Sequence, residues 1–138
     1  LKNKKLPVYG DGLNIRDWIY VIDHNKAVEL VLEKGKTGEI YNIGANAEKP
    51  NIEIVKLILN QVRKSEGLIE YVKDRPGHDR RYAINSSKIK NELGWQVEYS
   101  FEDAVKKTVN WFIENEKWWK EIISGEYQNY YKLQYSSR

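Results

Sequence analysis

The chain has 138 residues, enough for one domain with a core of its own. With 23 Lys and Arg against 20 Asp and Glu its net charge is only +3, which excludes a nucleic-acid coat or a polybasic membrane binder and makes any cationic site local. It has no Cys, hence neither disulfides nor a thiolate metal site, which suits a cytoplasmic setting, and no apolar run near the roughly 20 residues of a membrane span.

The chain opens on Leu1 and contains no Met, so further sequence upstream is expected. Residues 1–5 are basic and read as a frayed end, as do residues 136–138. Leu6-Pro7-Val8-Tyr9 is a short extended run, which Pro7 confines to an edge or a strand start. Gly10-Asp11-Gly12 is a turn, and residues 15–22 resume as a strand with Arg16 and Asp17 as its charged pair. Asp23 reads as the N-cap of a helix over 24–34 with Ala27, Val28, Val31 and Leu32 on one face; Gly35 ends it. Residues 39–43 form a strand closed by Gly44, and Asn51 caps a helix over 52–64. That helix buries Ile54, Val55, Ile58, Leu59 and Val62 and is broken by Gly67.

Residues 68–73 read as a strand and residues 82–84 as a short extended piece. Asn85 or Ser86 starts a helix that runs to Leu93, with Gly94 as its stop. Ser100 opens the last long helix with Asp103 at the capping-box position, and Phe101, Ala104, Val105, Thr108 and Phe112 give its apolar period. A break near Asn115 leads into Trp118 and Trp119, and Gly125 precedes a final turn carrying Tyr127, Tyr130, Tyr131 and Tyr135. The whole predicts an α/β class: one domain over 1–138 with short strands and about four to five helices.

The densest chemistry lies in Asp74-Arg75-Pro76-Gly77-His78-Asp79-Arg80-Arg81-Tyr82. Pro fixes φ and Gly accepts positive φ, so the turn is stiff and its backbone can approach a ligand closely. Arginine forks bind phosphate oxygens in pairs. Two readings are open here: a rigid cationic loop for a phosphorylated ligand, or a solvated loop whose Asp and Arg side chains pair with each other. Other residues carry similar alternatives. Tyr9 stacks on a base or packs in its strand. Arg16 and His78 meet a diphosphate, or Arg16 pairs with Asp17 or Asp23 and His78 is satisfied within its turn. Asn51 bonds a sugar or phosphate at a helix start, or only caps its helix. No Gly-x-Gly-x-x-Gly occurs, no Tyr is followed four positions later by Lys, and His24 and His78 are the only histidines, too few for a His-rich metal site.

In order, Leu6-Pro-Val-Tyr-Gly-Asp-Gly12, Ile15-Arg-Asp-Trp-Ile-Tyr-Val-Ile-Asp-His24, Glu39-Ile-Tyr-Asn-Ile-Gly44, Asp74-Arg-Pro-Gly-His-Asp-Arg-Arg-Tyr-Ala83 and Leu93-Gly-Trp95 resemble the C-terminal part of the dTDP-glucose 4,6-dehydratases. These are extended short-chain dehydrogenase/reductases, and the resemblance runs from about Leu6 to Tyr135. It implies the substrate-binding domain of such an enzyme without its Rossmann half. It further implies that Pro7, Val8 and Tyr9 line the base pocket, Arg16 holds the diphosphate, Asn51 contacts the nucleotide, and Asp74, Arg75, Pro76, Gly77 and His78 close over the phosphates. The ligand implied is a dTDP-sugar. In the family a tightly held NAD oxidises the sugar at C4, water is lost across C5 and C6, and the hydride returns to C6. The Tyr-x-x-x-Lys motif, the acidic pair and the glycine-rich NAD turn lie upstream of the matched region, so no catalytic or cofactor residue is assigned here. The strand matching 39–43 joins the dinucleotide-binding sheet in the family; here it is expected to pair between chains, to meet a separately made N-terminal half, to be covered by the N-terminal arm, or to enter a small local sheet. The alternative function is a non-catalytic nucleotide- or protein-binding assembly module. Membrane and nucleic-acid partners are not expected.

Overall fold

A computed structural model describes residues 2–125. They divide into two units, residues 2–105 and 106–125, with the boundary inside a helix. The element order is β1 (Leu6–Tyr9), β2 (Ile15–Asp17), α1 (Val21–Lys34), β3 (Glu48–Pro50), α2 (Asn51–Gln61), a 3-10 turn (Glu66–Leu68), β4 (Ile69–Val72), α3 (Ser87–Leu93), α4 (Phe101–Glu114) and α5 (Glu116–Ser124). This is a small α/β structure with five α-helices and few, short strands among the described residues. None of its described helices is long and apolar enough to cross a membrane.

Two pairings build the first unit. β1 runs parallel to β4 in the register Leu6↔Ile69 to Tyr9↔Val72, and β2 runs antiparallel to β3. Parallel strands need a crossover rather than a hairpin, and here everything from the Gly10 turn to the 3-10 turn supplies it. Val8 is the buried residue of β1, against a buried stripe of Ile52, Ile54 and Leu59 on α2. Gly12 closes over this layer: a Cβ there would lie 2.8 Å from Val8 Cγ1 and 3.0 Å from Ile52 Cβ. A second cluster of Ala27, Ile89 and Trp95 is flanked by Ile19, Leu30, Val31, Tyr41, Ile43, Leu93 and Val97.

The structure revises several sequence expectations. The strand predicted over 15–22 stops at Asp17, and α1 begins at Val21 with Tyr20 as N-cap, so Asp23 does not cap it. Asp23 is instead 1% exposed; its carboxylate accepts the amides of Glu98 (3.1 Å) and Tyr99 (3.4 Å), and its carbonyl accepts Trp95 Nε1 at 3.2 Å. A buried carboxylate needs such donors, and the distant 95–99 segment supplies them better than a helix start could. The apolar face of α1 turns accordingly. Ala27 is buried, whereas Val28 is exposed and Leu32 is 83% exposed.

Residues 39–43 form no strand and enter neither two-stranded sheet, because no described segment offers them a hydrogen-bonding ladder. Side chains anchor them: Tyr41 and Ile43 pack on the second cluster, the Tyr41 hydroxyl donates to Glu92 at 3.0 Å, and Glu39 pairs with Lys88. Ile40 points outward at 79% exposure. Residues 82–84 are likewise not a strand; the ladder there is a single parallel bridge, Ile15↔Arg81. Asn51 is the first residue of α2 rather than its cap, Pro50 stands at the N-cap position, and the helix ends at Gln61, short of Lys64. Ile58, expected in the buried stripe, is exposed, as is Thr108 on α4, where Val109 is buried in its place.

Other expectations hold. The strand read over 68–73 forms as β4, one residue in from each end. Gly94 ends α3 in the left-handed region (φ 73°), donating to the Lys90 carbonyl. Ser100 Oγ accepts the Asp103 amide at 3.1 Å, and its hydroxyl donates back to the Asp103 carboxylate at 2.7 Å. In the second unit the helix breaks at Asn115 as read, and Trp111 stacks edge-on against both Phe112 and Trp118. Tyr127, Tyr130, Tyr131 and Tyr135 lie outside the described residues.

Candidate functional site

The parallel register decides where the loops meet. Because Tyr9 lies beside Val72, the segments that follow both strands leave from the same end, and Gly10 N–H donates to the Val72 carbonyl at 2.9 Å. Crevices at the carboxyl ends of parallel strands are the usual ligand positions of α/β sheets. Gly10 has φ 57°, and a Cβ there would come within 2.9 Å of Asp74 Oδ2, so only glycine admits the 74–78 loop this close.

The loop is shaped as its sequence suggests. Gly77 has φ 68°, Pro76 precedes it, and the His78 amide donates to the Arg75 carbonyl at 3.3 Å, as in a type II turn. Asp74 Oδ1 accepts the Arg75 amide at 2.8 Å and faces His78 Nδ1 at 2.6 Å. The His78 ring is only 6% exposed. Its hydrogen bond, before any other influence, holds the Asp74 carboxyl below the usual carboxylate range. His78 meets Tyr9 edge-on at 6.2 Å between centroids, and the Arg75 guanidinium stands 5.9 Å from the same Tyr9 ring. Tyr9, Asp74, Arg75 and His78, with the Pro76-Gly77 turn, therefore form one cluster.

Arg80 and Arg81 follow the other reading of the loop. Arg80 makes a two-pronged pair with Asp11 (2.7 and 3.0 Å), and Arg81 pairs with Glu48 at 2.7 Å. The Arg80 hydrogen bonds, first among several causes, pull the Asp11 carboxyl down to about 2. These pairs pin the far side of the loop to the Gly10–Gly12 turn and to β3.

Arg16 does not pair with Asp17 or Asp23. Asp17 accepts the amides of Ala47 (2.9 Å) and Asn46 (3.3 Å), and Asp23 is occupied as described. The Arg16 guanidinium donates to the Ile15 carbonyl (2.6 Å) and the Asp79 carbonyl (3.0 Å) and lies 4.5 Å from the centre of the Tyr82 ring. Backbone bonds from Ile15 to the Arg80 carbonyl (2.8 Å) and from Tyr82 to the Ile15 carbonyl (3.1 Å) bring the segments together. The Tyr82 hydroxyl donates to Asp79, which raises its pKa, and the charges of Arg16 and Arg75 both oppose that rise. The bond to the Asp79 carbonyl and the contact with the Tyr82 ring are what tie Arg16 to the loop.

The remaining expected positions are set apart. Pro7 is exposed in β1 opposite Glu70, and Val8 is 4% exposed, so its side chain belongs to the core. Asn51 is half-buried, and its amide donates to the Asn14 carbonyl (3.0 Å) while that of Ile52 donates to the Gly12 carbonyl (2.9 Å). The first amides of α2 are therefore taken by the chain itself, which leaves the Asn51 side chain as the group available to a ligand. Asp79 and Tyr82 stand inside the same motif but are not among the expected site positions, and both meet Arg16. The bridge Ile15↔Arg81, a contact across more than sixty residues, is what gives them a role. Among the described residues no cluster of three or more His, Asp or Glu side chains suits a metal ion.

The family model for GDP-mannose 4,6 dehydratase matches residues 1–108. The dTDP-glucose 4,6-dehydratase of Xanthomonas campestris pv. campestris is 48% identical over 137 residues, covering 93% of this chain but 39% of that protein. The chain thus spans about two fifths of the length of the curated relatives it matches. Among solved structures, the dTDP-glucose 4,6-dehydratase of Bacillus anthracis in complex with NAD is 55% identical with a TM-score of 0.81, over 86% of this chain and 38% of that one. The enzyme of that name from Streptomyces venezuelae, with NAD and TYD bound, is 41% identical with a TM-score of 0.80, over 83% of this chain and 36% of the other.

Proposed function

The chain belongs to the GDP-mannose 4,6 dehydratase family, and on that premise we propose that it is the sugar-nucleotide-binding part of a dTDP-glucose 4,6-dehydratase. The observation that carries the reading is the meeting of Tyr9, Arg75 and His78 at the carboxyl end of the β1–β4 pair. Tyr9 offers a face to the base. Arg75 and Arg16 offer charge to the two phosphates, and His78, braced by Asp74, keeps the Pro76-Gly77 turn in place. Asn51 adds an amide from the start of α2. Pro7 and Val8 contribute backbone to the base pocket. The family similarity supports the thymine and glucose of this proposal; the guanidinium of Arg75 beside the Tyr9 ring supports its anion-binding part.

The sequence holds no Tyr-x-x-x-Lys pair and no glycine-rich dinucleotide turn. We therefore propose that this chain by itself neither holds NAD firmly nor turns substrate over, and that the hydride chemistry comes from an N-terminal dinucleotide-binding half. The outward-facing Val28 and Leu32, one turn apart on α1, and the exposed Ile40 support such a partner, since exposed apolar side chains mark surfaces that another body can cover. Titration calorimetry with dTDP tests the binding part: heat is expected, and Arg75→Ala is expected to reduce it. Absence of heat from the wild-type chain favours the assembly-module reading instead. Incubation with dTDP-glucose and NAD tests the rest; formation of a 4-keto product by this chain alone refutes the proposed division of labour.

A further inference from the structure

We propose that Tyr82, steadied by Asp79, is a positioning residue that presets the Arg16 guanidinium for an anionic ligand. The inference rests on the nucleotide-binding reading above but concerns residues that reading does not use. Arginine has many rotamers, and an unheld guanidinium loses that freedom when it binds. Here the freedom is already gone. Two N–H donors are engaged by the carbonyls of Ile15 and Asp79, and one face is covered by the Tyr82 ring at 4.5 Å. The ring is itself fixed, because its hydroxyl donates to the Asp79 carboxylate and its amide to the Ile15 carbonyl.

Asp79 joins these parts. Its carbonyl accepts from Arg16 (3.0 Å) and from Asn14 Nδ2 (3.1 Å), both lone pairs in use, while its carboxylate accepts from Tyr82. Asn14 is buried, so the carbonyl is anchored from the core side. The acid that faces this assembly is already engaged by a neutral phenol and makes no ion pair with Arg16. Among the described residues no carboxylate pairs with Arg16, so its positive charge is held in one place and is open to a diphosphate, which a structural ion pair would prevent.

Calorimetry with dTDP and with thymidine, on Tyr82→Leu, Tyr82→Phe, Arg16→Ala and the Arg16→Ala/Tyr82→Leu double variant, tests this. Tyr82→Leu should weaken dTDP binding about tenfold, leave thymidine binding unchanged, and have no further effect on top of Arg16→Ala. Tyr82→Phe keeps the ring but removes its bond to Asp79, and should weaken dTDP by a smaller factor, about threefold, with thymidine again unchanged; a loss shared equally by thymidine also overturns the proposal, so this variant serves as the probe if Tyr82→Leu does not fold. An equal loss for thymidine and dTDP, or a Tyr82→Leu effect that persists without Arg16, overturns the proposal. If the wild-type chain binds no dTDP, the nucleotide reading is what fails. The positioning claim is then judged on the ligand-free chain by the NMR order parameter of Arg16 Nε. Ordered in the wild type and loosened by Tyr82→Leu supports it; mobile in both overturns it.

Discussion

Two surfaces of the first unit answer opposite questions. Near the carboxyl end of β1 and β4, polar groups find partners within the chain: Asp11 for Arg80, Glu48 for Arg81, Asp74 for the His78 ring. Around α1 and residues 39–43, apolar side chains face outward and the extended segment has no ladder. Polar groups in neighbouring loops can satisfy one another over a few ångströms. Apolar area is removed from water only by another body of matching size. The contrast is between a polar end whose charged groups are largely held by other groups of the chain and an α1 surface whose apolar side chains no described segment covers.

Ile89→Ala probes the cluster beneath α1 and residues 39–43. Ile89 is fully buried between Ala27 and Trp95, so the truncation should cost about 2–5 kcal/mol in a denaturant titration. Asp23→Ala should cost about 1–3 kcal/mol, because it removes the buried carboxylate that accepts the part-buried amides of Glu98 and Tyr99. A change below about 0.5 kcal/mol in either variant would mean that α1 is not held by this cluster. Arg75→Ala addresses the polar end alone. It should weaken dTDP about ten- to a hundredfold and leave the unfolding midpoint nearly unchanged.

Leu32→Ala, at a side chain 83% exposed, should leave the stability of this chain within about 0.5 kcal/mol. It should weaken co-purification with a separately expressed N-terminal half. A large loss of stability in the isolated chain would show that the face is already covered.

The smallest expected effect is of pH. Asp11 titrates at about 2 in the folded chain against 3.8 ordinarily, and Asp74 is lowered in the same direction. Between those values the unfolded chain binds more protons than the folded one. The stabilisation is therefore complete above about 4 and fades as pH falls toward 2. Both groups are solvent-exposed, so the loss is modest and shrinks further in salt. Thermal melts should show the wild type and Asp11→Asn converging as pH drops from 6 to 2. Parallel curves would mean that the Asp11–Arg80 pair carries no stability.

The local backbone features were legible in the sequence. The Pro76-Gly77 turn, the stops at Gly94 and Gly125 and the break at Asn115 all follow from local backbone preference, and local preference is what a sequence displays most openly. The misreadings share one cause. Asp23 looks like a cap because Asp before an apolar periodic run usually is one; the amides that claim it lie seventy residues on. Residues 39–43 look like a strand because Ile40, Tyr41 and Ile43 favour extended backbone, yet a strand exists only with a partner. Arg16 offers an acidic neighbour on its own strand, but the amides of Asn46 and Ala47 reach Asp17 instead.

The sequence alone determined which residue types were at hand: three arginines and a histidine around a Pro-Gly turn, an earlier tyrosine and arginine, and no dinucleotide or Tyr-Lys machinery. Composition and turn chemistry are properties of the chain itself. Tertiary structure decided which arginines are neutralised and which keep their charge. That depends on the Tyr9↔Val72 register and the Ile15↔Arg81 bridge, pairings across more than sixty residues. Closing such contacts is governed by packing of the intervening helices, and no local preference encodes it.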